Sequence, residues 1–196
     1  MYTTPVGWDR ALFKWINGWS SAWEPAMRFF STGLESKWML GLLVILLVTM
    51  IAVGKDTRKA AICALIAFPL ADGLTHLLKA IAPMPRPYDD PNVLDIVSRL
   101  GESHSAGTAS AHSANMMAVA ICMTVSLKWY GVPWLVLALL VGISRIYNGA
   151  HFPYQVILGW IAGAFCAVLV CVIWQLVAKK RSQGTTENDA KPEPSH

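Results

Sequence analysis

The sequence predicts an all-α integral membrane bundle of about five transmembrane helices, preceded by N-terminal helices lying in the membrane interface. Three observations predict it. Of 196 residues, 55% are apolar and only 14% are charged, too few charges for an ordinary soluble domain. The apolar residues are contiguous, in Trp38–Val53, Ala60–Leu78, Ala109–Leu127, Val132–Tyr147 and Tyr154–Ala178. Each run approaches the ~20 helical residues that cross a hydrocarbon core of ~30 Å. Finally, five spans would place Lys55, Arg58 and Lys59, then Lys128, then Lys179, Lys180 and Arg181 on one side, which by the positive-inside rule is the cytoplasm.

Taken in order, residues 1–36 read as interfacial amphipathic helices, 37–181 as the transmembrane domain and 182–196 as a disordered cytoplasmic tail. In the first part, Leu12, Trp15, Ile16 and Trp19 recur at helical spacing among Asp9, Arg10, Lys14, Glu24 and Arg28, the pattern of a helix at the headgroup level. A sixth, poorly spanning helix is the competing reading. No cleavable signal peptide is expected. Cys63, Cys122, Cys166 and Cys171 fall inside apolar runs without metal-ligand spacing and read as small core residues. The tail "SQGTTENDAKPEPSH" has no apolar periodicity. A net charge of +4 with basic residues scattered along membrane boundaries does not suggest nucleic acid, and nothing signals an oligomeric state.

Five spans leave the long loop Lys79–Thr108 and the short link Gly149–Pro153 on the outer face, where three polar clusters meet. In "KAIAPMPRPYDDP", Lys79 follows an apolar helix and Arg86 sits between Pro85 and Pro87 in a stiff, extended segment. A snorkelling lysine and a loop arginine would also account for them. In "GTASAHSANM", Ser110 and His112 stand where a helix begins. Free N–H groups there favour an anion, although a capping serine and an interfacial histidine are an equally simple account. In "SRIYNGAHFPYQV", Arg145 and His151 interrupt the most apolar half of the chain, where charge is expensive and presumptively functional. Arg145 could instead pair with Asp89 or Asp95.

Together these are two histidines, three cations, a serine and helix-start amides. Cations and N–H donors suit a tetrahedral oxyanion such as phosphate. Two histidines allow one to attack phosphorus and the other to protonate a leaving group, chemistry that requires no metal or other cofactor.

The same residues resemble the type-2 phosphatidic acid phosphatase superfamily, which includes membrane lipid phosphatases and vanadium haloperoxidases. "KAIAPMPRP" matches its Lys-x6-Arg-Pro motif, "ASAH" resembles Pro-Ser-Gly-His, and "SRIYNGAH" matches Ser-Arg-x5-His, in order between Lys79 and Gln155. The resemblance implies that Lys79, Arg86, Arg145, the Ser110 hydroxyl and the Ala111 N–H hold phosphate oxygens. It further implies that His151 forms a phosphohistidine and that His112 protonates the departing oxygen. The site would face the periplasm or cell exterior.

Two departures stand out. Ala109 and Ala111 replace the second motif's proline and glycine. Gln155 stands where the family places an aspartate, four residues after the nucleophile; its amide oxygen can still accept the ring N–H but supplies no charge. Asp72, one turn before His76, and Glu102, beside His104, are the candidate replacement carboxylates. The expected substrate is a bilayer lipid phosphate or diphosphate, undecaprenyl diphosphate first, then phosphatidylglycerophosphate or the lipid A 1-phosphate. Lipid phosphotransfer and non-catalytic phospholipid binding are the rival functions. The membrane spans disfavour haloperoxidase activity, and polar residues clustered at one boundary disfavour a transporter.

Overall fold

The computed structural model of the chain describes residues 7–90, 93, 95–101 and 105–189, which form helices, turns and loops. Two short helices, α1 (Gly7–Asn17) and α2 (Glu24–Ser31), precede five apolar ones: α3 (Lys37–Val53), α4 (Lys55–Ile81), α5 (Ala111–Leu127), α6 (Val132–Tyr147) and α7 (Pro153–Asp189). By length and composition, three described stretches can cross a membrane: Lys55–Ile81, Ala111–Tyr147 and Pro153–Arg181. The second is two packed helices, α5 and α6, reversed at Lys128, whose φ is 54°. Ser21–Glu35 and α3 together pass the same criterion as a pair bent by 63°. All five expected apolar helices are therefore present.

Their limits follow from local chemistry. Ser36 caps α3 through its hydroxyl, which accepts the Met39 N–H, and an extended Gly54 separates α3 from α4. The fourth helix ends at Ala82, where Pro83, Pro85 and Pro87 remove backbone donors. Ser110 caps α5 by accepting the Ser113 N–H at 3.3 Å, and Pro153 opens α7, its missing N–H costing nothing at a helix start.

The core of the bundle is built from small residues. Ala64, Ala67 and Ala71 of α4, Ala114, Ala118 and Cys122 of α5, and Ala167 and Cys171 of α7 pack together, as membrane helices do when backbones approach closely. All four cysteines are free and buried. Gly159 and Gly163 of α7 lie against the carbonyls of Ser110 and Ala114, where a Cβ would overlap them. This contact lays the start of α7 on the start of α5. Lys55 and Arg181 line one groove, so the cationic ends of α4 and α7 share the opposite end of the bundle.

The N-terminal helices do more than lie on a surface. At 11 and 8 residues, or about 17 and 12 Å, they are too short to span. Phe13, Ile16 and Met27 join Ile146, Tyr147, Phe152 and Val156 in a second core. Asn17 donates to the Tyr147 carbonyl at 2.9 Å, Asn148 donates to the Met27 carbonyl, and Asp9 accepts the Tyr154 N–H at 2.8 Å. Past Ser182, where a disordered tail is expected, α7 continues to Asp189. The run Ala178–Gln183 holds no proline, and an established helix propagates through such residues at little cost.

Candidate active site

The three polar clusters converge at one end of the α4–α7 bundle, opposite the end where Lys55 and Arg181 meet. Arg86 is buried and held on three sides: Nε donates to the Ser105 carbonyl at 2.8 Å, Nη2 to Ser105 Oγ at 2.8 Å, and Nη1 to the Ala150 carbonyl at 3.2 Å. Asp89 does not reach Arg145; its Oδ2 accepts the Arg86 N–H. Arg145, in the last turn of α6, donates through Nη1 to Ser31 Oγ at 2.7 Å. Its Nε is buried and has no hydrogen-bond partner among the described residues. Lys79 stands in the last turn of α4. The charges of Lys79, Arg86 and Arg145 all bear on both histidines.

His151 lies in the link between α6 and α7 and is 2% exposed. Its Nδ1 is 3.2 Å from the Gly107 carbonyl and 3.0 Å from Gln155 Oε1. Both neighbours can only accept, so Nδ1 carries the proton and Nε2 keeps its lone pair. Burial, followed by the charges of Arg145 and Arg86, holds the ring well below the ordinary histidine pKa, partly opposed by Gln155. The imidazole is therefore neutral at physiological pH.

Gln155 is fully buried, and each end of its amide is assigned by its partners. Oε1 also accepts the Phe152 N–H at 3.1 Å, while Nε2 donates to the Pro85 carbonyl at 2.8 Å and to the Tyr154 hydroxyl at 3.0 Å. One side chain thus ties the imidazole of His151 to the proline-rich segment that carries Arg86. A carboxylate could make the first bond but would face the Pro85 carbonyl without a proton to give it.

The second motif opens α5. Ser110 is buried, its N–H donating to the Gln155 carbonyl at 2.9 Å, and its hydroxyl oxygen accepts from Ser113. The capping role is thus real, and the hydroxyl proton remains to be donated. Ala111 is the first residue of α5, so its N–H has no acceptor within the helix. His112 follows it, with its side chain 32% exposed.

Of the two carboxylates foreseen as substitutes, Asp72 is engaged away from His151. Asp72 accepts the Asn115 amide at 3.1 Å and lies 3.5 Å from His76 Nε2, while its charge bears on His112 and Lys79. Glu102 and its neighbour His104 lie outside the described residues. Among the described residues, the carboxylate that meets a histidine of the site is Glu35, whose Oε1 is 2.9 Å from His112 Nε2. Sequence reading missed Glu35 and Ser31 because neither belongs to a motif, and their contacts join positions about a third to over half the chain apart. Among the described residues no cluster of three or more His, Cys, Asp or Glu side chains is placed to hold a metal ion.

Fold and site together define a multi-pass membrane protein with a cationic, two-histidine cluster at one end of its bundle. The chain belongs to the PAP2 superfamily, whose family model matches residues 60–180. It is 29% identical over 166 residues to an undecaprenyl-diphosphatase of Sulfolobus acidocaldarius, covering 84% of this chain and 77% of that one. It is 31% identical over 114 residues to the bacitracin transport permease protein BcrC of Bacillus licheniformis, covering 58% and 55%. The fold matches Aquifex aeolicus LpxE with a TM-score of 0.72 at 23% identity, over 87% of this chain and 99% of that one. It also matches a PAP2-type phosphatidylglycerolphosphate phosphatase of Bacillus subtilis, with a TM-score of 0.66 at 26% identity over 86% and 85%. The chain is a membrane-embedded member of a lipid phosphatase family.

Proposed function

We propose that this protein hydrolyses a lipid diphosphate, with undecaprenyl diphosphate as the leading substrate, through a phosphohistidine at His151. The observation that carries this reading is the tautomer of His151: two acceptors hold the proton on Nδ1 and leave Nε2 as a neutral nucleophile. Lys79, Arg86 and Arg145 surround it with positive charge, and the unpartnered Arg145 Nε gains a partner in a phosphate oxygen. With the Ser110 hydroxyl and the Ala111 N–H, these groups stabilise the charge on the transferring phosphoryl group.

Nε2 of His151 attacks the terminal phosphorus as the bond to the lipid-side oxygen breaks. His112 gives that oxygen its proton. Water then attacks the phosphohistidine, His112 takes one of its protons, and orthophosphate leaves with His151 restored. Binding and proton transfer by these side chains require no metal. The basic ends at Lys55–Lys59 and Lys179–Arg181 support a site on the periplasmic face of the inner membrane.

The undecaprenyl-diphosphatase relative supports the diphosphate, and the phosphatidylglycerolphosphate phosphatase fold supports that lipid as the second reading. The test is phosphate release from undecaprenyl diphosphate, phosphatidylglycerophosphate, phosphatidic acid and lipid A in detergent, with chelator present and His151→Ala as control. Fastest release from undecaprenyl diphosphate, lost in the variant, is the expected result. Little release from any single lipid would instead indicate transfer to a second lipid.

A further inference from the structure

Glu35 ends the short turn between α2 and α3, at the 63° bend where the N-terminal arm enters the bundle. Its side chain is 64% exposed, yet Oε1 lies 2.9 Å from His112 Nε2, and its charge bears on Arg145. The contact is a close approach without an aligned hydrogen bond. Nε2 is covered from solvent and still has no hydrogen-bond partner. The groups whose charges reach His112 are Lys79 and Asp72 from α4, Arg86 from the following loop and Arg145 from α6, and Glu35 lies in contact with it. Of the two carboxylates, Asp72 is held by Asn115 and His76. Glu35 alone stands on an exposed turn, from which it can swing at small cost.

Three clustered cations favour a counter-anion, and like charges about 4 Å apart repel strongly where water is scarce. A phosphate group and the Glu35 carboxylate therefore compete for the same cations. We propose that Glu35 is a resident counter-anion of the phosphate site, covering His112 while the site is empty and yielding to an incoming lipid phosphate. This rests on the phosphate-site reading above.

The competition weighs unequally on substrate and product. Leu34, beside Glu35, and Met116, one turn beyond His112, line an apolar cavity of about 280 Å³ with Leu47, Met50 and Trp134. A lipid whose tail lies in the bilayer beside such a groove presents its phosphate at high effective concentration, which offsets the displacement of Glu35. Free orthophosphate has no tail and gains nothing. Glu35 thus discriminates lipid-linked from free phosphate and assists product release.

Calorimetric titration of orthophosphate into the full chain in detergent tests this for the wild type, Glu35→Gln and Glu35→Ala. Both variants should bind phosphate about tenfold more tightly, and product inhibition during lipid hydrolysis should strengthen by the same factor. Equal or weaker phosphate affinity in the variants overturns the proposal. A fall in turnover at unchanged phosphate affinity does so too, because it makes Glu35 a support for the protonation of His112. Absence of phosphate binding in all three proteins overturns the reading of the site itself.

Discussion

The two histidines of the site are held in opposite ways. His151 is 2% exposed, and its Nδ1 is shared by a backbone carbonyl and an amide that is itself fixed by three further bonds. His112 stands in the first turn of α5, keeps a third of its side chain exposed, and meets the Glu35 carboxylate on an exposed turn. The difference matches the demands of the two proposed roles. A nucleophile must present one lone pair along one line, so rigidity serves it. An acid that later acts as a base must meet first a lipid oxygen and then water, which an open side chain permits.

Breaking the rigid side should cost most. His151→Ala should lower turnover at least about a thousandfold in detergent, because no second group can form the covalent intermediate. His112→Ala should cost about a hundredfold on an alkyl phosphate. Its cost should be less on a diphosphate, whose departing phosphate needs little protonation, and comparing the two substrates measures the contrast directly. An equal loss on both would assign His112 to binding.

Gln155 sharpens the comparison further. If it were only a weakened carboxylate, Gln155→Asp would raise turnover. The bond from Nε2 to the Pro85 carbonyl predicts the reverse. Gln155→Asp and Gln155→Glu should both lower turnover about tenfold, since a buried carbonyl loses its donor and an added charge has no cation of its own. Steady-state rates together with melting curves for the two variants decide the matter.

The smallest effect concerns the N-terminal arm. Burial raises Asp9 to about 6, against the lowering influence of the Tyr154 N–H and Arg10. A carboxyl with a raised folded-state pKa binds its proton more tightly in the folded protein, so folding is favoured as pH falls through about 6 and the benefit levels off near 4. Asp9→Asn keeps an oxygen for the Tyr154 N–H and removes the charge. It should raise the thermal midpoint by a few degrees at pH 7.5 and show little gain at pH 4.5.

Much of this was legible in the residues. The apolar runs gave five helices because burial in lipid is a property of local composition, and the motif residues lie at helix ends because proline, serine and glycine set those ends. Asp72 shows the limit. Its spacing to His76 is readable along one helix, but its hydrogen bond to Asn115 is not. The tail beyond Ser182 shows another: a polar composition did not stop a helix already 29 residues long.

The sequence by itself determined the membrane bundle, the order of its helices and the residue types at its cationic end, since each depends on neighbours a few positions apart. Only the tertiary structure decided which proton His151 keeps, what Gln155 holds and which carboxylate meets His112. Those facts rest on contacts such as His151 with Gly107, 44 residues apart, and Gln155 with Pro85, 70 residues apart. Periodicity carries no record of such meetings.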